Sequence, residues 1–133
     1  MSAETARKTR ILIADDSRFQ LELFRSALEE KGFEITVAQD ALQAGMFALR
    51  TLPDAIILDL NMPGGSGIQV LQRLKRSAKT KSIPVVIATA SEDVELQKVA
   101  ASLGATQFFH KPVDLEQVAR TIANLVAPIV DTD

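Results

Sequence analysis

Five short apolar runs recur along this chain, each followed by an amphipathic stretch, and that alternation narrows the fold more than any other feature. The runs are RILIA (10–14), EITVA (34–38), AIILD (55–59), PVVIAT (84–89) and TQFFH (106–110). They are short, mostly β-branched or aromatic, and mostly continuous, as expected of strands covered on both faces. Between them apolar residues take helical spacing: Leu21, Phe24 and Leu28 in 17–31, and Leu71, Leu74 and Ala78 in 66–78. The same holds for Leu96, Val99 and Leu103 in 92–103, ahead of the helix stop Gly104, and for Leu115, Val118, Ile122 and Leu125 in 114–126. The alanine-rich stretch 40–51 completes the set. Five such repeats, joined by short right-handed crossovers, imply an α/β fold: one doubly wound parallel sheet with helices on both faces.

The helix starts support the same reading. Ser17 and Gln20, Asp40 and Gln43, Ser66 and Gln69, and Asp114 and Gln117 each set a cap residue three positions before a glutamine. That is capping-box spacing, which satisfies the free N–H groups of a first turn. The fourth helix, opening around Ser91, has no such pair and is expected to be less firmly anchored.

With 133 residues and 47% hydrophobic content, the chain suits one domain with a real core. Cysteine is absent, which excludes disulfide scaffolds, thiolate metal sites and cysteine nucleophiles and suits a reducing compartment. A formal charge of −2, with Phe as the only aromatic residue type, offers neither a field nor a stacking platform for direct nucleic-acid binding. No apolar run nears the roughly 20 residues that span a bilayer, and MSAETARKTR lacks a signal-peptide core. The expectation is a cytoplasmic domain with a lead-in at 1–8, a body at 9–127 and a tail at 128–133.

In open α/β sheets ligands sit beyond the carboxyl ends of the strands, and there the polar residues collect. Strand one ends in Asp15 and Asp16, strand three in Asp59 and strand four in Thr89, while strand five leads into Lys111. Strand two ends in Ala38 and Gln39, which places it outside the cluster. Three converging carboxylates repel one another and raise their pKa values unless a cation intervenes. Lys111 cannot balance three negative charges; Mg²⁺, which prefers oxygen ligands and retained waters, would. The implied ligands are Asp16 and Asp59, with Asp15 nearby or bound through water. A carboxylate so placed can also act as a nucleophile and form an acyl phosphate, with Thr89 donating its hydroxyl to a phosphoryl oxygen. Taken singly, each residue has a plainer role: Asp15–Asp16 as loop and cap, Asp59 as a turn cap, Thr89 as an ordinary strand residue.

Together, the acidic pair Asp15–Asp16, Asp59 within DLNMPGGSG, Thr89–Ala90 and Lys111–Pro112 resemble the receiver domain of two-component response regulators across residues 9–127. The resemblance implies the flavodoxin-like strand order 2-1-3-4-5. It implies Asp59 as phosphoacceptor, supplied by a histidine kinase or histidine phosphotransfer protein, and a Mg²⁺ site at Asp15, Asp16 and Asp59 with the backbone carbonyl of Asn61. Thr89 and Lys111 become the phosphate-contacting pair, and the Lys111–Pro112 bond is expected to be cis. Phosphorylation would then bias the surface of helix 92–103, strand 106–109 and helix 114–126 toward a downstream protein or output domain. Catalysis would be limited to self-phosphotransfer and autodephosphorylation. Phe108 occupies the place of a switch aromatic that is often Tyr; lacking a hydroxyl, it serves either as a rotating switch or as plain core packing.

His110, the sole histidine, reads as a surface residue, and Lys75, Arg76, Lys79 and Lys81 read as a solvated cluster. An aspartyl phosphohydrolase of the haloacid dehalogenase group would place its nucleophile after the first strand in Asp-x-Asp form, which Asp15–Asp16 does not match. A flavin carrier would need a Ser/Thr-rich loop there, and a degenerate receiver would lack the intact Asp, Thr and Lys set. The short PIVDTD ending fits a stand-alone receiver or one excised from a longer regulator, and a phosphorylation-dependent homodimer through the last two helices is compatible with either.

Overall fold

An Ile11-Leu12-Ile13 run is stable only where both faces of its strand are covered. The computed structural model, which describes residues 8–64 and 66–127, covers them fully. The expected tail and most of the lead-in lie outside the described residues. Ten elements alternate: β1 (Arg10–Ala14), α1 (Arg18–Glu30), β2 (Glu34–Ala38), α2 (Ala41–Thr51), β3 (Ala55–Leu58), α3 (Gly67–Arg76), β4 (Val85–Thr89), α4 (Val94–Ser102), β5 (Gln107–His110) and α5 (Leu115–Val126). The strands form one parallel sheet in the expected order β2-β1-β3-β4-β5.

Strand alternation divides the core in two. Leu12, Ile56, Leu58, Val85 and Ile87 pack with Ala44 and Ala48 of α2 and Leu71 and Leu74 of α3. Ile11, Ile13, Ile57 and Val86 face the other way, onto Leu21, Phe24 and Leu28 of α1 and Val118 and Ile122 of α5. Every residue of β3 and β4 is buried.

The edges depart from the expected covering. In β5 Gln107, Phe108 and His110 are exposed, because α4 buries only Ala100 against the sheet. Val99 accordingly points outward at 43% exposure rather than joining the core. Ala78 is exposed too, since α3 ends at Arg76 before reaching it.

The four capping residues all accept from the N–H three positions on. Only Ser66 and Gln69 close the reciprocal box; Gln43 reaches past Asp40 to the Gln39 N–H, and the Ser17 N–H goes to Asp15. α4 starts later than expected, at Val94, because Asp93 caps it by accepting from both Glu95 and Leu96.

Candidate functional site

The parallel ladder carries on for one step past β1 and β3. The Asp15 N–H donates to the Ala38 carbonyl and the Asp59 N–H to the Ala14 carbonyl, both at 3.0 Å. Because Ala14 and Leu58 are register partners, Asp15 and Asp59 leave the sheet side by side. On the far side, the Lys111 N–H donates to the Thr89 carbonyl at 2.9 Å. Lys111 is thereby fixed just beyond the end of β5, and its bond to Pro112 is cis.

Carboxylate oxygens of Asp15, Asp16 and Asp59 all lie within 4.8 Å of one another. Asp15 and Asp59 are buried, at 2% and 6% exposure, while Asp16 is exposed. Lys111 Nζ bridges the buried pair, 2.5 Å from Asp15 Oδ2 and 3.0 Å from Asp59 Oδ2. The other oxygens are held by backbone: the Ser17 N–H donates to Asp15 Oδ1 and the Asn61 N–H to Asp59 Oδ1.

Burial pushes the Asp15 carboxyl above its ordinary value, against the pull of the Lys111 hydrogen bond, the Ser17 N–H and the Lys111 charge. Burial alone would lower Lys111, but its hydrogen bonds to Asp15 and Asp59, and their charges, outweigh it and hold the ammonium above its usual range. The raised Asp15 pKa has a stability consequence. The folded chain keeps that proton to higher pH than the unfolded one, so Asp15 favours folding below its unfolded pKa. That contribution is lost as pH rises through the folded value, leaving the ionised group working against the metal-free fold. Asp15→Asn should therefore raise the metal-free melting temperature at neutral pH by a few degrees, ~1 kcal/mol being worth about 4 °C or slightly more. The gain should shrink as pH falls toward the ordinary value of 3.8. Thermal unfolding in chelator across pH checks it, and an equal or lower midpoint at neutral pH would contradict the burial argument.

An all-oxygen donor set, buried on one side and open through Asp16 on the other, fits a small hard cation that keeps some of its waters. Thr89 is buried at the end of β4, where its Oγ1 accepts from the Ser91 N–H at 3.2 Å. Asn61 is exposed two residues beyond Asp59. Phe108 pairs with Ile87 on the sheet edge and is 36% exposed, so it is not plain core packing. His110, opposite Thr89, is exposed.

Lys75 departs from the solvated cluster read for it: its Nζ donates to the Lys81 and Ile83 carbonyls, tying down the loop before β4. Gly67 is a residue the sequence reading passed over. It sits in the first turn of α3 directly against the Asp59–Leu60 backbone, where its N–H donates to the Leu60 carbonyl. The available signal was a poor helix former placed immediately after a capping serine. A cavity lined by Lys31, Phe33, Glu116 and Arg120 includes none of these residues and has no part in the cluster.

A family model described as the response regulator receiver domain matches residues 11–123. The chain is 35% identical over 119 residues to protein PilH of Pseudomonas aeruginosa, spanning 89% of this chain and 98% of PilH. It is also 35% identical to the phosphate regulon transcriptional regulatory protein PhoB of Escherichia coli, covering 85% of this chain but 49% of PhoB. Among solved structures, the receiver domain of a signal transduction histidine kinase from Syntrophus aciditrophicus superimposes with a TM-score of 0.83 at 30% identity, covering 94% of this chain and 95% of that one. The chemotaxis protein CheY4 of Vibrio cholerae gives 0.83 at 25% identity, covering 90% and 99%. No helix among the described residues is long and apolar enough to cross a membrane.

Proposed function

This chain belongs to the response regulator receiver domain family of two-component signalling, and from that premise we propose that residues 9–127 form a cytoplasmic switch with Asp59 as phosphoacceptor. The observation that carries the reading is the Lys111 bridge between Asp15 and Asp59 at the open end of the sheet. It keeps one oxygen of a nearly buried carboxylate beside a fixed cation, which is where a phosphoryl group would need both nucleophile and counter-charge.

An Asp59 carboxylate oxygen attacks phosphorus of a phosphohistidine on a histidine kinase or phosphotransfer protein. The P–N bond breaks and its electron pair returns to the imidazole, leaving an acyl phosphate on Asp59. Lys111 then loses one carboxylate partner and is free to pair with the phosphoryl oxygens. Asp15, Asp16, Asp59 and the Asn61 carbonyl would hold Mg²⁺. When bound, the ion supplies Lewis-acid neutralisation of the phosphoryl charge. Water attack on phosphorus later restores Asp59.

The route outward is a hydrogen-bond chain. Thr89 Oγ1 accepts from the Ser91 N–H, Ser91 Oγ from the Asp93 N–H, and Asp93 Oδ1 from Glu95 and Leu96 at the start of α4. Drawing the Thr89 hydroxyl toward a phosphoryl oxygen breaks the first link and loosens the cap of the helix that is least buried in the sheet. A downstream protein or output domain with different affinities for the two arrangements would read the α4–β5–α5 face. Thr89→Ala should still accept phosphate but leave the α4 amide resonances unmoved on phosphorylation, within NMR error. Full α4 shifts in that variant would rule out the chain.

The reading itself is tested by intact-mass measurement after incubation with Mg²⁺ and acetyl phosphate. The wild type should gain one phosphoryl group and Asp59→Asn none; an unmodified wild type, or a modified Asp59→Asn, would overturn it.

A further inference from the structure

The switch makes no use of the outer face of α2. Leu42, Met46 and Leu49 recur there at i, i+4 and i+7 and are 62%, 43% and 43% exposed. The helix is already anchored from behind by Ala41, Ala44, Gly45 and Ala48, so the sheet does not need this row. Single exposed apolar residues are ordinary; a row along about two turns, roughly 10 Å at 1.5 Å per residue, is the footprint of a partner helix.

The borders of the row say what that helix carries. α2 itself contains no carboxylate, Asp40 being engaged in capping its start, and its exposed residues are Leu42, Met46, Leu49 and Arg50, with Gln43 half-buried beside them. Arg50 closes one side. The other side is α3, packed against α2, whose Arg73 lays its guanidinium over Gly45, with Nη1 3.1 Å from where a side chain there would begin. Arg76 follows one turn on. All three arginines are exposed, and none has a carboxylate partner among the described residues. Between the helices the surface dips into a small groove lined by Ala41, Leu42, Gly64, Gln69, Val70 and Arg73, with room for one side chain of an incoming helix.

We propose that this α2–α3 groove docks an amphipathic helix of another protein, with an apolar row flanked by Asp and Glu. A second copy of this chain is a poorer fit, because a two-fold pairing of α2 helices would set the Arg73-bearing flanks against each other. A lipid surface would match the charge but not the concavity. Since α2 flanks the edge strand β2 while β5 forms the opposite edge of the sheet, a helix bound here leaves the α4–β5 side open. The groove is thus an anchoring surface, separate from the one that reads phosphorylation.

Two helical peptides of about 14 residues, long enough for a few turns, would share one leucine row and differ only in Glu or Lys flanks. The Glu peptide should bind at least ten-fold more tightly, weaken with added salt, and shift amide resonances within 42–52 and 73–76. Met46→Glu should abolish binding, Phe19→Glu on α1 should leave it unchanged, and the double substitution Arg73→Glu, Arg76→Glu should reverse the preference. Equal affinities, shifts elsewhere, or binding retained by Met46→Glu would overturn the proposal. So would self-association in sedimentation, or flotation with phosphatidylglycerol vesicles, if Met46→Glu removed either one, since the face would then belong to a second copy or a membrane.

Discussion

Gly67→Ala is expected to destabilise the fold by about 4 kcal/mol or more, at the exceptional end of single substitutions, and to take phosphoryl uptake down with it. Helix propensity points the other way, since alanine outperforms glycine inside a helix by ~1 kcal/mol. Contact decides the sign. A Cβ on Gly67 would stand 2.3 Å from the Asp59 carbonyl oxygen and 2.6 Å from Leu60 Cα. Both are backbone atoms, with no rotamer to relieve the overlap. Either α3 moves off the sheet, opening the packing of Val70, Leu71 and Leu74, or the Asp59–Leu60 segment moves and draws Asp59 out of reach of Lys111. Urea denaturation and acetyl phosphate uptake would measure the two effects together. Gly32→Ala is the control: its φ of 92° strains an alanine, but nothing stands within 4 Å, so it should cost only about 1 kcal/mol. If Gly67→Ala were as stable as Gly32→Ala, close backbone approach would not be what the glycine provides.

Gly67 also marks where sequence legibility ends. β1, β3 and β4 are readable because a continuous β-branched run has nowhere to go except between two helical layers, and the caps at Ser17, Asp40, Ser66 and Asp114 announce the helices that supply those layers. The convergence of Asp15 and Asp59, far apart in the chain, follows once the topology is accepted, because ligands gather beyond the strand ends. Periodicity is silent about pairwise reach. It cannot show that Lys111 touches both carboxylates, that Lys75 stretches to the Lys81 and Ile83 carbonyls, or that a helical glycine lies against the strand end. It also misleads at the sheet edge, where Val99 has core spacing but no layer to enter, and at α4, which opens two residues past the expected Ser91. There the cap is Asp93, whose carboxylate accepts from two backbone N–H groups at once.

Chelation of divalent cations is expected to slow phosphotransfer from acetyl phosphate to Asp59 by at least 1000-fold, the charge count of the site being the reason. Three carboxylates crowd within 4.8 Å and face a single ammonium, Lys111, so an approaching phosphoryl dianion meets an excess of negative charge. Each unreduced pair of unit charges at ~4 Å is worth about 4 kcal/mol at an effective dielectric constant near 20, and ~1.4 kcal/mol is a factor of ten in rate. One uncompensated pair therefore accounts for nearly the whole predicted loss. Asp16→Asn separates this account from a purely structural role for the metal. Asp16 is exposed and holds up no part of the core, so the variant should fold as well as the wild type without metal. Removing its charge eases the repulsion, though by far less than a buried charge would because Asp16 is exposed and screened by water and salt, while removing a proposed ligand, so its rate in chelator should exceed that of the wild type only modestly. Its acceleration by Mg²⁺ should fall at least ten-fold. Rates followed by intact mass across a Mg²⁺ titration would show a compressed metal dependence in Asp16→Asn. A wild-type rate indifferent to chelator would mean that Lys111 alone suffices and that the acidic cluster is not a cation site.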